Sequence, residues 1–304
     1  MTSSAARPRA TFDCLWCGRS WTARSPDDLE AWAQLCPDCL GKAGENPFLR
    51  FRLRDAIAAR GASNRSRPAG SETASPAAAE VGDTLVAYYE ARAAEYDDWY
   101  LRRGRYERGA IHDAAWNAEL DGAGTWLDAL PIHGEIVELA AGTGWWSPLL
   151  ASKGELSIYD AAEAPLERAR ERLLAHRLRA HIHVRDAWTE PDRQVDALFC
   201  GFWLSHVERD RTAEFVGLAR RWLKPGGIFA FIDSLPDPQS GASDHPPNVG
   251  DSSLRRLDDG REFRIIKVYR EPAELRESLV AAGFAKAELT TTGRFFLLGS
   301  AVRP

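Results

Sequence analysis

Four of the chain's five cysteines fall in its first 40 residues, as Cys14-x2-Cys17 and Cys36-x2-Cys39 with 18 residues between the pairs. Thiolates at that spacing can converge on one Zn²⁺ in a closed tetrahedron, because each C-x2-C forms a tight turn with converging sulfurs. Gly18 and Pro37 are the punctuation such turns favour. Four thiolates leave no open coordination position, so a metal there would be structural. Two disulfides, a redox C-x-x-C or a rubredoxin-like iron site would use the same residues. Met1–Ala10 carries arginines with no apolar stretch after them, so no secretory signal is read, the cytoplasm is the expected compartment, and disulfides are disfavoured. A second group of chemistry-bearing residues lies further on. Ile136–Leu139 is an apolar run entering Ala140-Ala141-Gly142-Thr143-Gly144, a bend where glycines let backbone approach a ligand closely. Asp160 ends the next apolar run, where a carboxylate can accept both hydroxyls of a ribose, and Asp186 follows a third. The run holding the fifth cysteine, Cys200, ends in Gly201-Phe202-Trp203-Leu204-Ser205-His206.

The elements that must position these residues alternate. Strands are expected at 135–140, 155–160, 181–185, 195–201 and 227–233, with helices at 164–176 and 211–223. Such alternation implies right-handed βαβ units and an α/β, doubly wound, mostly parallel sheet with helices on both faces. A helix after Pro272, closing strands at about 286–291 and 295–299, and a further strand at 262–268 complete the expected set. The organisation read from composition is a cysteine module with a trailing basic helix at 1–60, a flexible small-residue linker at 61–80 and the large domain at 81–304.

At 44% hydrophobic and 27% charged residues, the 304-residue chain is neither disordered nor collagen-like, and no apolar run reaches membrane-spanning length. Charge is uneven: residues 1–60 hold nine basic and seven acidic side chains, whereas 81–304 hold 28 basic and 35 acidic. An acidic body offers no general attraction for phosphate backbones, so a nucleic-acid partner would need a local basic patch.

Taken together and in order, the bend at 138–144, Asp160, Asp186, the 200–206 turn and Leu223-Lys224-Pro225-Gly226-Gly227 resemble those of a class I S-adenosylmethionine (SAM) dependent methyltransferase. The resemblance covers 81–304, and the N-terminal segment resembles a zinc ribbon. It implies that Glu138, Ala140, Gly142 and Gly144 wrap the methionine part of SAM and that Asp160 holds the ribose. Asp186 and Ala187 would contact the adenine, with Trp188 as a stacking wall, while Cys200 and Gly201 would reach the methionine ammonium through their carbonyls. Ala140 departs from the family, which usually has glycine there. The stretch 88–100 resembles the family's lid helix, which brings Tyr88, Tyr89 and Tyr96 toward the cofactor.

The acceptor side is less marked. Arg105 belongs to a basic cluster able to face an anion, and Trp203 would wall the pocket. On the strand at 262–268, Lys267 shares a face with Phe263 and Ile265, while Arg264 shares the other with Ile266. Arg264 and Lys267 are therefore candidate anion contacts, an arrangement similar to small-molecule O-methyltransferases that act on phosphonates or carboxylates. His206 is the expected base, with His112 and His245 secondary. The leading expectation is methyl transfer to a small molecule, at an oxygen of an anionic or hydroxylated metabolite, with structural zinc and a homodimer or protein partner reached through the zinc module. The alternatives are a ribosomal or transfer RNA methyltransferase docking through that module, and a zinc-dependent adaptor whose SAM domain has lost catalysis.

Overall fold

A computed structural model of the chain describes residues 11–13, 20–22 and 76–304. The four N-terminal cysteines and residues 61–75 of the expected linker lie outside the described residues. The chain divides into two compact units, Met1–Ala74 and Ser75–Pro304. In the first, β1 (Thr11–Asp13) pairs antiparallel with β2 (Ser20–Thr22), so that Phe12 faces Trp21 across the ladder. The segment joining the two strands contains Cys14 and Cys17.

The second unit opens with α1 (Pro76–Arg92), α2 (Tyr96–Leu101) and α3 (Ala110–Ala129). Helix α1 starts inside the expected linker, where a run of alanines favours helix over coil. The expected single lid helix is broken at 93–95, where Glu95 takes φ −109° and ψ 6° as the N-cap of α2. The alternating part follows as β3 (Gly134–Leu139), α4 (Ser147–Lys153), β4 (Gly154–Asp160), α5 (Glu163–Ala175), β5 (His181–Val184), β6 (Val195–Gly201), α6 (Thr212–Trp222) and β7 (Leu223–Ser234). A hairpin of β8 (Ser252–Arg256) and β9 (Glu262–Ile266), then α7 (Pro272–Ala281), β10 (Ala285–Thr291) and β11 (Phe296–Val302), complete it.

Seven strands form one sheet in the order β10-β11-β7-β6-β3-β4-β5, parallel except at β11. Both faces are covered, which is why the central strands are almost uniformly apolar. On one face Ile136, Ile158 and Phe199 pack with Trp116 and Leu127 of α3 and with Leu166 and Leu173 of α5. On the other, Val137, Leu139 and Leu198 pack with Phe215 and Trp222 of α6 and with Leu275 and Leu279 of α7. The strand order reverses between β3 and β6, so the carboxyl ends of these strands splay and leave a crevice there.

Candidate active site

The crevice holds a cavity of about 340 Å³. The turn after β3 enters it through Ala140 at φ 52°, the left-handed region that favours glycine. The chain adopts there the conformation that the glycine usual at this position would supply, at a cost of about 1 kcal/mol for the methyl group. Gly142 follows at φ 55°, and a side chain there would meet the Tyr96 hydroxyl, its Cβ lying 3.1 Å away. Asp160 ends β4 with its carboxylate gripped from both sides, accepting from Gly142 N and Ala162 N, each at 2.8 Å. Burial outweighs those hydrogen bonds and lifts its pKa to about 6. Asp186 accepts from Trp188 N at 2.7 Å, and the Arg211 guanidinium stacks 3.8 Å from the centre of the Trp188 ring. Asp186, Ala187, Trp188 and Gly201 line this cavity with Asp160 and Tyr96.

Four of the expected cofactor residues are not among those lining this cavity. Glu138 is buried on the α3–α5 side of the sheet, where it accepts from the Ser147 hydroxyl at 2.5 Å and burial raises its pKa to about 8. Gly144 packs against α5: an added Cβ would come within 2.7 Å of Ala169 Cβ, so its role is close helix approach. The Cys200 side chain is fully buried among apolar side chains, so any contact it makes with the cofactor is through its backbone carbonyl, as expected from the sequence. Tyr88 lines a second cavity and not this one.

That second cavity, about 440 Å³, adjoins the first. Tyr89, Tyr96, Phe202 and His206 line both and so mark the junction. Phe202 stands at φ 60°, a strained conformation for a bulky residue, held by its N–H bonded to the Ile232 carbonyl at 2.7 Å. Beyond the junction the second cavity is strongly basic. Arg92, at the end of α1, is buried with its guanidinium over the rings of Tyr96, Tyr88 and Tyr106 at 4.6, 5.6 and 5.9 Å. It has no ion pair among the described residues, and its Nε has no hydrogen-bond partner. Arg255 reaches the cavity from β8, and among the described residues its guanidinium bonds only to His245. Lys267 donates to the Ser205 and Ser234 hydroxyls at 2.8 and 3.1 Å, and burial lowers its pKa to about 8 although Asp233 lies 3.8 Å away.

Comparison with known proteins fits this arrangement. Residues 136–227 match the family described as "Methyltransferase domain". The DhpI–SAM–HEP complex is 32% identical over 76% of this chain and 100% of that one, with a TM-score of 0.59. The chain belongs to the class I SAM-dependent methyltransferases. DhpI bound to SAH gives a similar result, 31% identity over 74% of this chain and 98% of that one, with a TM-score of 0.58. The 1,6-didemethyltoxoflavin N1-methyltransferase of Burkholderia thailandensis is 17% identical over 78% of this chain and 93% of that one, with a TM-score of 0.49. None of the curated proteins compared matches the chain.

In this methyltransferase His206, the expected base, stands at the junction of the two cavities with both ring nitrogens hydrogen-bonded. Its Nδ1 lies 2.7 Å from the Ile266 carbonyl, which can only accept, so the ring proton sits on Nδ1. Nε2 then accepts from the Tyr89 hydroxyl at 2.7 Å. Both nitrogens are engaged, and burial together with the Lys267 charge pushes the pKa down to about 3. Of the expected acceptor contacts, Lys267 lines the second cavity and three residues do not. Trp203 lines the cofactor cavity instead. Arg105 is spent on Asp258, Asp244 and the Arg256 carbonyl, and Arg264 lies exposed against the Ser252 hydroxyl.

Arg92 and Arg255 were not read from the sequence. Arg92 carried a signal, since it stands four residues after Tyr88 on the same helix and so shares its face. Arg255 carried none, because β8 lacks the apolar alternation that marks a strand.

Proposed function

We propose that this enzyme transfers the methyl group of SAM to an oxygen of a small anionic metabolite. The observation that supports it best is the pair of guanidinium groups, Arg92 and Arg255, facing the 440 Å³ cavity with no carboxylate partner among the described residues. Leaving a buried charge unpaired costs several kcal/mol. Cation–π contact with three tyrosines offsets about 1–2 kcal/mol of that for Arg92. An anion in the cavity accounts for the remainder, and Lys267, paired with Asp233 at 3.8 Å, lines the same cavity.

SAM, when bound, supplies an electrophilic methyl group on a sulfonium. Asp160 would hold the ribose, Asp186 with Ala187 and Trp188 the adenine, and Ala140, Gly142 and Gly201 the methionine portion. Tyr89, Tyr96 and Phe202 would exclude water at the junction, where charges interact most strongly once it is dry. An oxyanion acceptor arrives without a proton to lose, which agrees with a junction whose histidine has both nitrogens engaged. Catalysis then rests on positioning and on the low polarity of the junction.

The likeness to DhpI, solved with SAM and HEP, makes HEP the first acceptor to try. Incubation with labelled SAM and a panel of HEP, small carboxylates, small phosphates and neutral catechols should label acids and leave catechols unlabelled. Arg92→Met and Lys267→Met should each raise KM for a labelled acid about tenfold or more while KM for SAM stays within about twofold. Labelling of the catechols alone would overturn the reading.

We further propose that Cys14, Cys17, Cys36 and Cys39 hold a structural Zn²⁺ and that the zinc module supports self-association or a protein partner. The first C-x2-C joins the antiparallel strands β1 and β2, an arrangement that suits a zinc ribbon. A cytoplasmic setting agrees with four reduced thiolates.

A further inference from the structure

The loop between β7 and β8 forms one wall of the acceptor cavity, and it is built to stay in place. Pro236, Pro238, Pro246 and Pro247 stiffen it. Trp99 and Arg102 donate to the Ser240 carbonyl at 2.9 and 3.0 Å, and Arg108 donates to the Gly241 carbonyl at 2.9 Å. His245, in the second half of this loop, stands against Arg255 and Arg256, the last two residues of β8. Its Nδ1 lies 3.1 Å from Arg255 Nη1, and its Nε2 lies 3.1 Å from the Arg256 carbonyl.

The chemistry of the partners fixes the imidazole. A guanidinium has donors only, so Nδ1 must present its lone pair to Arg255. The single proton of the neutral ring is then on Nε2 and is donated to the Arg256 carbonyl. The Arg256 N–H also lies 3.1 Å from Nε2, but it cannot bond a nitrogen that carries the proton. Burial and the Arg255 charge both hold the ring neutral, with a pKa near 4. Arg255 has no other hydrogen-bond partner among the described residues. Its guanidinium is therefore aimed by one neutral histidine that does not neutralise its charge.

We propose that His245 is a positioning residue for acceptor recognition: it orients Arg255 into the cavity and leaves that positive charge available for the acceptor's anionic group. A carboxylate in the same place would hold the arginine as firmly and cancel its charge. An apolar residue would keep the charge and leave a long, flexible side chain to be ordered at the acceptor's expense. The inference rests on the anionic-acceptor reading above.

The test is calorimetric titration of the full-length, SAH-saturated protein with inorganic phosphate and, separately, malonate. Wild type should bind at least one of them. Arg255→Met and His245→Leu should each weaken that anion about tenfold. The double variant should be no weaker than Arg255→Met alone, because His245 acts through Arg255. His245→Asn, whose side-chain carbonyl can stand in for Nδ1, should stay within about threefold of wild type, whereas His245→Gln, which places its carbonyl toward the Nε2 position, should behave like His245→Leu. SAH affinity should be the same in all, which separates loss of aim from loss of fold. Loss on Arg255→Met with none on His245→Leu and His245→Gln would overturn the role of His245 and leave the anion reading intact. Equal loss in the Leu, Gln and Asn variants would also overturn it, by showing a general packing effect. Failure of wild type to bind either anion would overturn the anion reading and this inference together.

Discussion

Asp160 is held in place by two backbone N–H groups and yet kept from ionising easily by its surroundings, with a pKa near 6 in the free enzyme. Ribose hydroxyls donate to the ionised carboxylate, so SAM binding favours the deprotonated form and pulls the pKa down. The sign follows: above pH 6 the carboxylate is already charged and affinity is flat, and below pH 6 each protonation must be undone. SAM affinity measured by calorimetry should therefore fall by up to about tenfold per pH unit below 6. Asp160→Asn should bind more weakly at pH 7 and lose this slope; a slope that survives would assign the titration elsewhere. Asp160 could be read from the sequence because a carboxylate closing a buried strand is rare without a purpose. Arg92 and Arg255 were hidden by the opposite circumstance, since arginines are common on surfaces and only tertiary packing shows that these two have no carboxylate partner among the described residues. Glu138, near the end of β3, and Gly144, in the bend after it, carry packing as well as any cofactor contact: Glu138 is buried and accepts from the Ser147 hydroxyl, and Gly144 lets the bend approach Ala169 of α5.

Among the elements, α2 is fixed to the cofactor turn by chemistry that single residues do not reveal. Asp97 accepts from the Thr143 hydroxyl at 2.6 Å and pairs with Arg172 of α5, while Tyr100 stacks on Trp145 at 4.2 Å and 3°. Helix α1 belongs to a different cluster, where Tyr88 packs with Leu257 and Ile265 beside the β8–β9 hairpin. The break at 93–95 thus separates a helix held by the Rossmann-like body from one held by the acceptor wall. The turn at Gly144 shows how tightly that body is built. Gly144→Ala should cost about 2–4 kcal/mol, combining left-handed backbone at φ 70° with an overpacked contact to Ala169. In a unit of this size the loss would appear as a fall of roughly 5–15 °C in Tm by differential scanning calorimetry; a shift under 2 °C, roughly what half a kcal/mol gives, would mean α5 gives way easily. The strands and major helices were legible because buried parallel strands read as apolar runs and amphipathic helices repeat at 3.6. Helix α3 was missed: its inward Trp116, Leu120, Ala123 and Leu127 lie among small residues and four carboxylates. Strand β8 was missed because its outward arginines serve the cavity and the surface.

For the molecule as a whole, the two units divide the labour. The described residues that line the cofactor and acceptor cavities belong to the second unit. The proposed zinc site lies wholly in the first. Plasma emission analysis should find about one zinc per chain, lost when Cys14 and Cys17 are both replaced by serine. The same replacement should leave SAM affinity within about twofold, since no cofactor contact leaves with the metal; a tenfold loss would show that the first unit supports the site. The acidic balance of residues 81–304 disfavours polyanions at this scale, while the basic side chains lining the second cavity suit the small anionic acceptor proposed above. That contrast is the central claim, and methyl transfer from labelled SAM into cell extract tests it most directly. After separation into small-molecule, RNA and protein fractions, the account predicts label in small anionic compounds that lose one negative charge on methylation. Label in the RNA fraction, with the small acids unlabelled, would contradict it.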